Sequence, residues 1–224
     1  MVKWQTVRHQ VAIAGRLADA GTGKPVSGAL VAINEDERMP AAFKSLLEAR
    51  AMQYGDAWAA MTERLDRART APDGLFYFLD LPDGDYTLTA SLAGMGRRYG
   101  TAQATATVSR DENGNFKRAF LDLALQATTV RGKVTGPSHR TGVAMAEVRV
   151  KGSGERTFSD AQGQYVLAGI EPVKPKDDGA AGDKTPKRTI LVFAQGYKPD
   201  SKQVAINVAG AVVSLDFKLA PEAG

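Results

Sequence analysis

The chain has 224 residues, 43% of them hydrophobic, which excludes a disordered polymer; this length suits two domains of roughly 100 residues each. It contains no cysteine, so disulfides and thiolate metal sites are excluded and the redox compartment stays open. A formal charge of +4 is small against 29 basic and 25 acidic residues, and the basic residues do not cluster with aromatics, so no nucleic-acid partner is expected.

Met1 to Gly15 lacks the continuous apolar core of a secretion signal, and no stretch approaches the roughly 20 apolar residues of a membrane helix. The expectation is a cytoplasmic chain without membrane insertion, unless another route exports it or it is built into a particle that leaves the cell.

Strand signals begin at Ile13, Gly15 and Leu17 and continue through Val26, Ala29, Val31 and Ile33, where period-two alternation marks a half-buried strand. An insertion at about 36–70 follows. Pro40 suits a helix start, and Phe43, Leu46, Leu47 and Tyr54 mostly share one helical face. Gly55 breaks this helix, and Asp56 is placed to cap a second one carrying Trp58, Met61 and Leu65. Such a face packs as a lid on its own domain or docks a partner protein. The docking candidates are Tyr54, Trp58 and Met61 with Arg50 and Arg64, since aromatic residues, Met and Arg are enriched at interfaces.

Beyond the insertion, Phe76 and Phe78 alternate with Tyr77 and Leu79. Pro82-Asp83-Gly84 reads as a turn before Tyr86, Leu88 and Ala90. Asn113-Gly114 predicts a hairpin joining Thr105–Val108 to Phe116–Leu125. Gly94 is expected in a tight bend.

The second half repeats the first. Ile13, Gly15, Leu17, Val26, Ala29, Val31 and Ile33 recur at one offset as Val130, Gly132, Val134, Val143, Ala146, Val148 and Val150. Gly74, Phe76, Phe78 and Leu81 recur as Gly163, Tyr165, Leu167 and Ile170, and Gly94 as Gly196. Leu121, Leu123 and Leu125 recur as Leu215, Phe217 and Leu219. Repetition at this scale means two copies of one fold. Each half contains about seven short strands, which predicts an all-β chain of two tandem seven-stranded antiparallel sandwiches, the first with a two-helix insertion. The domains are set at 1–126 and 127–224. The short junction at Gln126-Ala127-Thr128 predicts a fairly fixed relation between them. A lysine-rich stretch at about 173–188 is expected to be a flexible loop.

Gly15 with Asp19, Thr22-Gly23-Lys24-Pro25-Val26, Gly28-Ala29, Asp73-Gly74, Phe76, Leu81-Pro82, Gly84, Tyr86 and Gly94 together resemble the carboxypeptidase regulatory-like domain. The second copy keeps Gly132, Val143, Ala146, Gly163, Tyr165, Gly196 and Tyr197 but departs at Ile170-Glu171-Pro172. The resemblance implies a transthyretin-like Greek-key sandwich and a non-catalytic accessory role. Joined to the helical insertion, the run from Leu47 to Gly100 also resembles accessory proteins of phage-tail-like contractile injection systems.

Catalytic patterns do not emerge. His9 and His139 lack metal-ligand spacing, and Ser27, Ser91, Ser159 and Ser214 lie outside any Gly-x-Ser-x-Gly elbow. Asp111 to Asn115 resembles a calcium loop but lacks its distal glutamate, so a hairpin turn explains it better. Gly94-Met95-Gly96 opens no helix, which argues against a phosphate site. Lys133 and Asp216 are the candidates for an internal amide bond, which alternation disfavours because Lys133 points outward.

The reading is a non-enzymatic structural or adaptor protein, without cofactor or metal, that docks onto a larger protein assembly. A contractile injection particle is the most specific assembly implied. A small-molecule ligand is not expected. The alternative is a carbohydrate- or peptide-binding module using the loop end of a sandwich, where Trp4 or Trp58 would matter.

Overall fold

The computed structural model describes residues 9–61, 64–117, 119–138, 141–173 and 187–222. Trp4, His139 and nearly all of the expected loop at 173–188 lie outside the described residues. The chain divides into two compact units. One comprises Met1–Gly94 and Thr101–Leu125; the other comprises Met95–Gly100 and Gln126–Gly224.

The first unit contains β1 (Val11–Asp19), β2 (Leu30–Ile33), α1 (Ala41–Tyr54), α2 (Ala57–Ala60), β3 (Arg67–Arg69), β4 (Leu75–Leu79), β5 (Gly84–Ser91), β6 (Ala102–Arg110), β7 (Phe116–Lys117) and β8 (Ala119–Leu125). One sheet has the order β4-β1-β8 and the other β3-β2-β5-β6-β7. Alternation places Ile13, Leu17, Val31, Phe76, Phe78, Tyr86, Leu88 and Leu125 in the core.

The second unit contains β9 (Thr129–Thr135), β10 (Glu147–Val150), β11 (Arg156–Phe158), β12 (Gln164–Ala168), β13 (Lys187–Phe193), β14 (Asp200–Ala205), β15 (Val212–Ser214) and β16 (Phe217–Lys218). Its sheets run β12-β9-β15, with β16 also on β9, and β11-β10-β13-β14. Val130, Val134, Tyr165, Leu167 and Phe217 from the first of these sheets share one core with Val148, Val150, Ile190, Val192 and Val204 from the other. The protein is thus mainly β, with two sheets in each unit.

The expected all-antiparallel arrangement needs correction. β8 runs parallel to β1, and β15 and β16 run parallel to β9. A hairpin forces antiparallel neighbours, but these first and last strands are joined only through the rest of their unit, so no local turn sets their direction. The predicted hairpin is also shorter than expected. Asp111 Oδ1 accepts from the backbone N–H of Asn113 at 2.9 Å and Asn115 at 2.8 Å, and Gly114 takes φ +79°. β7 ends at Lys117, however, and β8 joins the other sheet, where Leu123 and Leu125 are buried.

The repeated residues make repeated bonds. Gly15 and Gly132 let the last strand approach: an added Cβ would lie 2.6 Å from Leu121 O in one unit and 2.0 Å from Leu215 O in the other. Leu17 N donates to Gly74 O at 2.9 Å, as Val134 N does to Gly163 O at 2.8 Å. A buried hydroxyl also recurs. Thr70 Oγ1 donates to Val26 O (2.7 Å) and accepts from Ala29 N (2.9 Å). Ser159 Oγ donates to Val143 O (2.6 Å) and accepts from Ala146 N (2.9 Å). The paired glycines Gly94 and Gly196 do not behave alike. Gly196 has φ +79°, whereas Gly94 lies in a 3₁₀ turn and the positive φ falls at Gly96, +63°.

Met95–Gly100 is built into the second unit by polar bonds. The Arg98 guanidinium pairs with Glu155 and donates to Gly169 O at 2.7 Å; Arg97 N donates to Glu171 Oε1 at 3.1 Å, and Arg97 Nη2 to Asn207 O at 3.1 Å. At the candidate internal amide bond, Asp216 Oδ1 accepts from the backbone N–H of Lys133 at 2.7 Å. Among the described residues, no ion pair joins the Lys133 ammonium to Asp216.

A candidate docking groove in the first unit

The excursion between β2 and β3 is anchored at its start. Met39 and Phe43 are buried, and the Phe43 ring meets Tyr86 edge-on with centroids 5.6 Å apart. Pro40 lies against Gly84, where an added Cβ would come within 2.5 Å of its Cγ. Pro40 is the extended residue just before α1, and its carbonyl accepts from Phe43 N and Lys44 N. Gly55 ends the helix at φ +57°, a conformation that glycine adopts without a Cβ clash.

Four expectations for this segment are corrected. α1 has no continuous buried stripe: Phe43 is its buried residue, while Leu46 is 39% exposed and Tyr54 is exposed. Asp56 makes no capping bond, because its own backbone is already helical. Trp58, Met61 and Leu65 do not share a helix, since α2 ends at Ala60 and Met61 is extended. The excursion itself stops short of residue 70, because Arg67–Arg69 is the edge strand β3.

Despite this, the five candidate residues converge. Arg50, Tyr54, Trp58, Met61 and Arg64 line one groove of about 830 Å³, together with Leu65, Arg67–Arg69, Ala71, Leu75 and Tyr77–Leu79. One wall is the helical excursion and the other is formed by the edge strands β3 and β4. Tyr54 stacks on Trp58 with centroids 6.1 Å apart and planes 11° apart. The Arg64 guanidinium sits 4.0 Å from the Trp58 ring centre.

Arg64 has a positioning task. Its Nε and Nη2 donate to the two oxygens of Asp66 at 2.8 and 2.7 Å, and Nη1 donates to Trp58 O at 3.3 Å. Both side chains are 10% exposed. This two-point, charge-assisted pairing fixes a guanidinium more firmly than a point contact, so Arg64 holds Trp58 and the groove wall. Trp58 and Met61 are half-buried, and Tyr54 is the most available of the three apolar candidates on this wall.

Sequence reading missed the opposite wall. Leu75, Tyr77 and Leu79 face outward from β4, and Tyr77 is 61% exposed. Alternation alone carried this signal, since Phe76 and Phe78 inside require their neighbours outside. Arg67 and Arg69 lie on the edge strand β3, inside the span expected to be part of the insertion.

A second depression, of about 640 Å³, is lined by Asp36, Glu37, Arg38, Thr87, Gln103, Ala104 and Thr105. It has no aromatic residue to stack on a sugar ring. Among the described residues, no group of three or more His, Cys, Asp or Glu side chains is placed to hold a metal. His9 pairs with Asp80 on the exposed rim of β1 and β4. No described helix is long and apolar enough to cross a membrane.

No protein family matches the sequence, and no curated protein matches it. Among solved structures the chain is similar to the shaft pilin SpaA of Lactobacillus rhamnosus GG, at 13% identity and TM-score 0.40, covering 98% of this chain and 99% of that one. It is similar to GBS52, the minor pilin of Streptococcus agalactiae, at 12% identity and TM-score 0.31, covering 95% and 96%. It is also similar to the Bacillus anthracis TIE protein, at 11% identity and TM-score 0.36, covering 95% of this chain and 34% of that chain, so it spans about a third of that protein's length. Likenesses this distant leave the groove itself as the ground for a functional reading.

Proposed function

We propose that this chain is a non-catalytic structural or adaptor protein whose first unit docks a protein partner in the groove between its helical excursion and strands β3 and β4. The observation that supports this is the convergence of Tyr54, Trp58, Met61, Leu65, Leu75, Tyr77 and Leu79 on one concave surface at a sheet edge. Apolar and aromatic groups gathered in a concavity gain most when a partner excludes water from them. The framework of each unit is occupied with its own bonds, so the excursion is the part of the chain free to carry individuality. The sequence resemblance offers a contractile injection particle as one candidate assembly, and the groove's geometry does not select among assemblies.

The test is incorporation. The chain is expressed at native level in its own cell, and large assemblies are separated from free protein by sedimentation. The wild-type chain is expected in the assembly fraction, and Tyr77→Asp, checked for an unchanged melting transition, is expected to remain free. A wild-type chain that sediments only as a monomer, or a Tyr77→Asp chain that stays incorporated, overturns the reading.

A further inference from the structure

The groove's charge and its exposed strand edge narrow the partner beyond the reading on which this inference rests. Four arginines, Arg50, Arg64, Arg67 and Arg69, line the groove, and its described lining contains no Asp or Glu. Arg64 is neutralised by Asp66. Arg50 donates to the neutral Gln53 Oε1 and Arg69 to Gly28 O, each at 3.1 Å. Among the described residues, no carboxylate pairs with Arg50, Arg67 or Arg69. Among the described residues, three cationic groups therefore border an apolar surface with no carboxylate paired to them.

The second observation is the edge of β4. Its sequence, Leu75-Phe76-Tyr77-Phe78-Leu79, contains neither charge nor proline, and it is the outer strand of its sheet. An uncharged, apolar edge strand is a template for pairing with another chain unless it is blunted or covered. Among the described residues, the backbone groups of Phe76 to Leu79 bond only within the ladder with β1.

From these two features we infer that the groove receives an extended, acidic and apolar segment of a partner protein, added as a strand along the free edge of β4. Main-chain bonds to β4 supply affinity, and alternate side chains supply specificity. Apolar side chains of the segment cover Leu75, Tyr77 and Leu79, and its carboxylates meet Arg50, Arg67 and Arg69. A single-stranded nucleic acid is the less suitable occupant, because Trp58 already stacks with Tyr54 and carries Arg64 over its ring, and aliphatic Leu65, Leu75 and Leu79 make up much of the remaining surface.

The experiment selects random twelve-residue peptides displayed on phage against the full chain. Selected peptides are expected to alternate Asp or Glu with apolar residues. They should bind the double variant Arg67→Glu/Arg69→Glu about tenfold or more weakly, as loss of a close interfacial charge pair predicts, and slow amide exchange at Phe76–Leu79. The milder Arg67→Gln/Arg69→Gln variant should give an intermediate loss, which keeps the test valid if charge reversal perturbs folding. The inference is overturned if no peptide is enriched, if enriched peptides lack carboxylates, or if both variants bind them as wild type does. It is equally overturned if an oligodeoxythymidine probe or a second copy of the chain occupies the groove in place of peptide. These results are separable from the proposed function, which falls if the wild-type chain sediments only as a monomer or if the Tyr77→Asp chain stays in the assembly fraction.

Discussion

The same connection is made twice in this chain and to different ends. In the second unit, β10 and β11 are joined by residues 151–155, a tight turn with Gly152 at φ +75°. In the first unit, β2 and β3 are joined by residues 34–66, which carry both helices. The strands on either side correspond, and so do the edges: β4 and β12 each pair with the first strand of their unit. The outward residues differ. β4 presents Leu75, Tyr77 and Leu79, and β12 presents Gln164, Val166 and Ala168. At this connection the second unit keeps a short turn, and the first adds a wall opposite an apolar strand. The second unit forms its two sheets without such an excursion, which is why the proposed docking role is given to the addition.

The sharpest way to break this comparison is Phe43→Ala. Truncating a buried phenylalanine costs about 3–5 kcal/mol, and Phe43 is the buried anchor of α1. The α1 amides are expected to lose their protection from hydrogen exchange while amides of the second unit, such as Ile190, keep theirs. Equal loss in both units would mean that the excursion is part of the framework.

The glycine positions test whether the framework is truly shared. Gly15→Ala and Gly132→Ala should each destabilise their own unit by about 1–3 kcal/mol through overpacking. Gly132→Ala should cost more, because its new Cβ would meet a main-chain carbonyl at 2.0 Å, whereas the nearest atom at Gly15 is a Phe76 ring carbon at 2.4 Å. Thermal melts followed by residue-resolved exchange would show the order.

The buried hydroxyls make a smaller test. Thr70→Val and Ser159→Ala each leave a buried carbonyl and a buried N–H unpartnered, which costs about 1–2 kcal/mol. Thr70→Ser should be milder than Thr70→Val, because it keeps the oxygen that bridges Val26 and Ala29. Chemical denaturation of the three single variants checks the pairing.

The smallest effect concerns pH and the second unit alone. Burial pushes the Glu155 carboxyl up, but hydrogen bonds from Ser153 and Arg98 outweigh it and hold the group below the ordinary glutamate value. A depressed carboxyl stabilises the fold above its unfolded value of 4.5, and that contribution is lost as pH falls through the lower folded value. Arg98→Ala should therefore move the acid-induced loss of second-unit protection to higher pH, leaving the first unit's profile in place. An unchanged profile would mean that the Arg98–Glu155 pair adds nothing to the acid stability of the second unit.

Much of the framework was legible because it obeys period two. Ala29, Val31 and Ile33 are buried as their alternation requires, and Ala146, Val148 and Val150 repeat them. Gly15 and Gly132 recur at one offset in the sequence, but the close approach that they permit is seen only in the fold. The helical excursion was less legible. Its apolar spacing suggested one buried face, but α1 is held by a single phenylalanine, so Leu46 and Tyr54 stay outside. The groove residues were named from their types without their true neighbours. Tyr54, Trp58 and Met61 are close in sequence, but β4 reaches them only through the fold. The role of Arg64 was also beyond sequence, since guanidinium and carboxylate two residues apart meet only when the intervening backbone turns.

The sequence by itself determined that there are two β units, which strands alternate, which glycines recur and where the excursion interrupts the repeat. These are local properties, written in side-chain period and backbone freedom. The tertiary structure alone decided that the last strand of each unit runs parallel to the first, that Met95–Gly100 belongs with the second unit, and that four arginines and the outward face of β4 surround one groove. Those outcomes depend on contacts between residues far apart in the chain, and neither period nor propensity encodes which distant surfaces will meet.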